Sequence, residues 1–190
     1  DRTYKTQALH DAAERLELEW RLPKLAVAFS ADGGPPGLAE PILGEPEIVI
    51  AEDVLAFAGI APPTLRLYPI ETHLAEKLHA YTIPRSRPNS RVKDLPDIAL
   101  LATAQPIDAK RLRAALDQTF TFRKTHALPA AVPAPLGAWT TPYAAMARED
   151  QLAWVTLDEV TKAAQTFLDP VLAGELDATW GPETWSWRLH

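Results

Sequence analysis

Between Tyr68 and Ala102, the run YPIETHLAEKLHAYTIPRSRPNSRVKDLPDIALLA joins two helix-like segments through a basic loop. Each segment puts a charge where packing asks for an apolar side chain. At about 100° per residue, Ile70, Leu74, Leu78 and Tyr81 fall within about 80° of one another, and Lys77 lies at the edge of that stripe. In the second segment Asp94 projects between Ile98 and Leu101, so a carboxylate also turns inward. An isolated buried charge costs too much to keep. The lysine and the carboxylate therefore either pair with each other or face a polar cleft, and a fold for this chain has to satisfy both.

Periodicity and punctuation divide the rest. Tyr4 to Trp20 reads as a helix, with Ala8, Leu9, Ala12, Ala13 and Leu16 recurring at three- and four-residue spacing until Pro23 stops it. Leu25 to Ala31 is a short apolar run that reads as a buried strand. The Gly33-Gly34 pair behind it sits among prolines and lacks the Lys-Ser/Thr of a phosphate loop. Glu47–Ala51 and Thr64–Tyr68 are further strands, with a short apolar helix at Val54–Ile60 between them. Pro69 suits a first helical turn, Glu71 complements the helix dipole there, and the helix runs to about Tyr81. After the Ile83–Ser90 loop, Asp94 can cap a helix reaching Ala104, with Asp97 at its third position.

Asp108 caps another helix through Leu116 to about Phe120, and Leu128–Leu136 is a proline-rich linker or wrapped loop. Trp139–Arg148 fits a short helix after Pro142. Thr156-Leu-Asp-Glu159 is a capping box whose helix presents Val160, Ala163, Ala164 and Phe167 and ends at Pro170. Trp180, Trp185 and Trp187 in the tail read as packing anchors rather than a base-stacking platform. A few short strands in the first third followed mostly by helices make the class α+β.

Composition narrows the function classes. With 190 residues and 47% hydrophobic content, the chain suits one ordinary domain, or one domain with an extension. The absence of cysteine excludes disulfides and thiolate metal sites and is compatible with a reducing cytoplasm. No apolar run reaches the ~18 residues of a membrane span. A net charge of −6 offers no general attraction to nucleic acid or anionic lipid, so such contacts have to be local. The clear basic concentration is Arg85, Arg87, Arg91 and Lys93, which either meets phosphate or is a solvated loop. The chain opens at Asp1 almost directly in a helical pattern, which points to a processed or truncated start.

Lys77, Asp94 and Asp97 are the candidate chemical groups. The ammonium of Lys77 either contacts a nucleotide phosphate as a point charge or runs along Leu74 and Tyr81 to solvent or an acid. Asp94 and Asp97, at i and i+3, either orient a lysine, a base or a metal-bound water, or serve the helix start as cap and dipole partner. His73 and His79 are six apart and do not match i, i+4 metal ligation, while His10, His126 and His190 stand isolated. Neither G-x-S-x-G nor H-E-x-x-H occurs.

The E-K-L-x-A helix YPIETHLAEKLHAY, followed after a basic loop by SRVKDLPDIALL, resembles the motif pair of the AbiEii/AbiGii toxin family of nucleotidyltransferase-like proteins over residues 68–102. The resemblance implies a small mixed-sheet nucleotidyltransferase-like core at residues 1–104 and a helical part at 105–190. It also implies a toxin of bacterial toxin–antitoxin or phage-defence pairs that binds a nucleoside triphosphate with Mg2+. Such proteins transfer a nucleotidyl group to an acceptor such as tRNA or a protein, alongside a cognate antitoxin. By position, Lys77 matches the lysine expected at the triphosphate, and Asp94 and Asp97 match the motif acids. The family's D-x-D strand, whose carboxylates hold the metal, has no counterpart in residues 1–190. The expectation is therefore either a missing catalytic segment or a degenerate member acting as a protein- or RNA-binding module.

Overall fold

The computed structural model describes residues 43–44, 46–50, 59, 61–85 and 91–190. The expected Tyr4–Trp20 helix, Leu25–Ala31 strand and Gly33-Gly34 turn lie outside these residues, as does the Val54–Ile60 helix apart from Gly59. Strands β1 (Glu47–Ile50) and β2 (Thr64–Leu67) pair antiparallel, Glu47 opposite Leu67 and Ile50 opposite Thr64. Helix α1 (Ile70–Thr82) follows at once. Pro69 stands just ahead of its first turn, and the proline carbonyl accepts the His73 amide at 3.0 Å.

A 3₁₀ turn at Arg91–Lys93 leads into α2 (Asp94–Ala104). Helix α3 (Ala109–Arg123) is capped by Asp108, whose carboxylate accepts the Arg111 amide at 2.8 Å, and it closes on Lys124 in a left-handed conformation at φ 50°. A second 3₁₀ turn, Gly137–Trp139, opens α4 (Thr140–Glu149). Helix α5 (Leu157–Leu172) begins at the expected capping box: the Thr156 hydroxyl accepts from Glu159 N, and Glu159 accepts from Thr156 N.

The expected stop at Pro170 is a misreading, since α5 runs through it to Leu172. A proline two residues from a helix end forfeits a single hydrogen bond, and Ala173 N still reaches Asp169 O at 2.9 Å. The sequence reading also missed a second sheet. Ile107–Asp108 forms β3, which pairs antiparallel with β4 (Ala178–Gly181), and β4 pairs antiparallel with β5 (Ser186–Leu189). Two residues give no periodicity, and tryptophan beside glycine in ATWG hides the strand pattern. Five α-helices and two small antiparallel sheets, mostly helical, make the described chain α+β as expected.

Helix α1 packs on α2 and α3, and α5 closes the other side of α2. The predicted stripe holds: Ile70, Leu74, Leu78 and Tyr81 are all buried, with Leu95, Ile98, Leu112, Leu116, Phe167 and Trp180 in the same cluster. The tail tryptophans are anchors. Trp180 is fully buried and donates its indole N–H to Ala102 O at 2.9 Å, and Trp187 donates to Phe167 O at 2.9 Å.

The proline-rich stretch is a wrapped loop rather than a free linker. Val132 is buried, its amide donates to Asp169 Oδ1 and its carbonyl accepts from Gln165, while Tyr81 Oη donates to Pro133 O at 2.7 Å. Among the described residues no helix is long and apolar enough to cross a membrane.

Candidate functional site

The two inward charges meet. Packing of α1 on α2 brings Lys77 Nζ to 2.5 Å from Asp97 Oδ2 and 4.0 Å from Asp94 Oδ1. Arg91, on the 3₁₀ turn, places a guanidinium nitrogen 3.9 Å from the same Asp94 oxygen. The Asp94 side chain is only 4% exposed, against 26% for Lys77 and 30% for Asp97. The cluster therefore has a buried acidic floor and a lysine–aspartate rim that reaches solvent.

Asp94 does not cap α2. It is the first helical residue, makes no capping hydrogen bond, and places Asp97 at the fourth helical position rather than the third. Its side chain faces Leu95, Ile98 and the other buried neighbours of α2 because the preceding 3₁₀ turn starts the helical rotation three residues early. Oδ2 has no hydrogen-bond partner among the described residues. Burial pushes the Asp94 carboxyl above its ordinary range, even though Lys77, Arg91 and Arg85 all favour the charged form and Asp97 opposes it. A desolvated carboxylate with one idle oxygen and two distant cations costs stability.

Asp94→Asn, which keeps the shape and removes the charge, is thus expected to stabilise the fold by about 1 kcal/mol in thermal melts at neutral pH. The sign with pH is fixed. A carboxyl raised in the folded state is protonated there before it is in the unfolded chain, so the wild type regains stability as pH falls through the folded value. The advantage of the variant should shrink over that window. A variant less stable than wild type at neutral pH would show that the buried charge is adequately paired.

Of the four basic residues expected around the loop, Arg91 joins the cluster, and Arg85 is exposed yet still felt electrostatically at Asp94. Lys93 is exposed, and Arg87 lies outside the described residues. Among the described residues no group of three or more His, Cys, Asp or Glu side chains is arranged to hold a metal ion. Asp97 is committed to Lys77 and Asp94 has a single idle oxygen, so these residues do not fit a magnesium site.

The histidines carry more than their spacing indicated. His79 and the sequence-distant His126 come together, rings 4.9 Å apart, around Phe120. Thr125 Oγ1 bridges His79 Nε2 at 2.7 Å and His126 Nδ1 at 2.9 Å, and Thr82 Oγ1 contacts His126 Nε2 at 2.7 Å. Burial, then His126 and Arg123, lower His79 from 6.5 to about 4. Its imidazole therefore stays neutral while the unfolded chain takes up a proton below about pH 6.5.

Stability is fully present above that value and is lost as pH falls toward about 4, by something on the order of 2–3 kcal/mol. Urea midpoints measured from pH 7 to pH 4 should fall more steeply in the wild type than in His79→Gln. Parallel curves would remove the histidine from the account. No linear signal could have revealed this cluster, because its members lie 47 positions apart in the chain and meet only when α3 packs on α1.

A family model described as Nucleotidyl transferase AbiEii toxin, Type IV TA system, matches residues 35–189. No curated protein matches the chain.

Proposed function

The chain belongs to the AbiEii nucleotidyl transferase toxin family of type IV toxin–antitoxin systems, and from that premise we propose that the Lys77–Asp94–Asp97 cluster is the part of its transfer site that holds a nucleoside triphosphate. One observation carries this reading: a lysine shared between two acids, on the partly open wall of the α1–α2 pair, above a buried carboxylate oxygen with no partner among the described residues. Structural ion pairs rarely leave such an oxygen idle.

In nucleotidyl transfer an acceptor hydroxyl oxygen forms a bond to the α-phosphorus as the bond to the departing pyrophosphate breaks. Lys77 steadies the triphosphate, Asp94 and Asp97 orient it or the acceptor, and Arg85, Arg87, Arg91 and Lys93 meet phosphates of the nucleotide or an RNA. The acceptor class is tRNA, another RNA or a protein hydroxyl. The setting is the cytoplasm, within a phage-defence pair that includes an antitoxin. Magnesium usually neutralises the departing charge in such chemistry. Residues 1–190 contain no D-x-D, and the described residues do not fit the ion.

These 190 residues are accordingly expected to retain nucleotide while transferring little or none of it. Incubation with labelled ribonucleoside triphosphates, magnesium and total tRNA checks both halves. Robust incorporation overturns the inactivity, and failure of every triphosphate to bind overturns the nucleotide site. The second reading, a non-catalytic family member that uses the fold to bind a protein or RNA, is favoured by the missing metal-holding acids.

A further inference from the structure

His73 lies one turn before Lys77 on α1, about 40° round the helix from it, so the two side chains share a face. It is 9% exposed, yet its ring nitrogens make no hydrogen bond among the described residues, whereas Nε2 of His79 and both ring nitrogens of His126 are engaged. A mostly buried imidazole whose nitrogens no protein group engages is open to a ligand arriving from the solvent side. The fold supplies a place for one, since the two charges felt at His73, Lys77 and Asp97, form the rim that opens to solvent above the idle Asp94 oxygen.

We propose that His73 is a further contact for the polyphosphate held at Lys77, donating a ring N–H to a phosphate oxygen and taking up a proton as it does so. This deepens the nucleotide reading of the site and rests on it.

The charges around His73 agree. On its own helix it feels Lys77 and from α2 it feels Asp97, while Arg111 of α3 is engaged by Glu71, about 200° round α1 from His73. In the free protein, burial first and Lys77 second hold the imidazole below its usual value, with Asp97 pulling the other way, so it is largely neutral at pH 7. A polyphosphate brings several negative charges to the same wall. The balance at His73 then reverses, and the charged ring becomes a second cation on the ligand.

The test is calorimetric titration of each of the four ribonucleoside triphosphates into the chain, in two buffers of different ionisation enthalpy, from pH 6 to pH 8. His73→Gln is run in parallel so that protons taken by the phosphate itself cancel. The wild type should take up a fraction of a proton more than the variant, and its affinity should rise by up to about tenfold per pH unit on acidification. The histidine ring nitrogen signals of the wild type should move toward the imidazolium position when ligand is added.

Binding with equal proton uptake in both proteins overturns the role of His73 and leaves the nucleotide site standing. A variant that is merely less stable, with an unchanged pH slope of binding, overturns it too, since it would assign the ring a packing role. Absence of binding by the wild type overturns both the inference and the reading beneath it.

Discussion

Trp180→Ala is expected to remove about 4 kcal/mol of folding free energy, the largest loss any single substitution here should cause. The indole is fully buried, with its ring 4.8 Å from Phe167, 5.1 Å from Trp185 and 5.3 Å from Trp187. Deleting it opens a cavity that four surrounding elements cannot all collapse into. It also orphans the Ala102 carbonyl, one of the last-turn acceptors of α2, at a further cost of about 1–2 kcal/mol. Trp180→Phe separates the two terms, keeping most of the packing and losing the hydrogen bond.

Against the 5–15 kcal/mol of an ordinary domain, the alanine variant should be close to unfolded at growth temperature. Denaturant titration followed by far-UV dichroism measures it. A loss under about 1 kcal/mol would mean that the tail hairpin is an ornament on the helices rather than part of their core.

Lys77→Met should weaken nucleoside triphosphate binding by roughly 10- to 100-fold, the effect of removing one charge-assisted contact of about 1.5–3 kcal/mol. Methionine reproduces the apolar stem of the lysine beside Leu74 and Tyr81, so the helix face stays filled. Asp97, 30% exposed, can turn to water, but Asp94 then keeps its charge with Arg91 at 3.9 Å and the exposed Arg85 as the remaining cations among the described residues. A moderate drop in stability is therefore expected as well, and adding Asp94→Asn to Lys77→Met should restore much of it. Equilibrium dialysis and thermal melts on the single and double variants distinguish the two effects. Unchanged nucleotide affinity in Lys77→Met would leave the lysine a purely structural ion-pair partner.

The pairing of Lys77 with Asp94 and Asp97 was legible in the sequence because helical periodicity is rigid. A charge within an apolar stripe must be explained by whatever packs against that stripe, and here two such charges of opposite sign stood on neighbouring helices. The caps at Asp108 and Thr156 were legible for the same local reason. The misreading of Asp94 as a cap came from the 3₁₀ turn at Arg91–Lys93, which shifts the start of helical geometry without any marker of its own in residue type.

Pro170 reads as a stop because the rule holds in a helix interior, whereas two residues from the end there is little left to break. The β3–β4–β5 sheet and the His79–His126 pair were not legible at all. The β3–β4 pairing and the two histidines join residues far apart in the chain, while the β4–β5 hairpin is local but its tryptophan and glycine content hides the strand pattern.

Trp180 reaches back 78 positions to fasten the Ala102 carbonyl in the last turn of the helix that bears both aspartates, and β3, which begins three positions after that helix ends, is zipped by β4. During synthesis on the ribosome, then, the far end of the acidic half of the cluster is not anchored until Trp180 has emerged. Translation has to pass Trp180 before Asp94 and Asp97 are held in register with the lysine opposite them, so a product terminated upstream of it carries the residues of the site without its geometry.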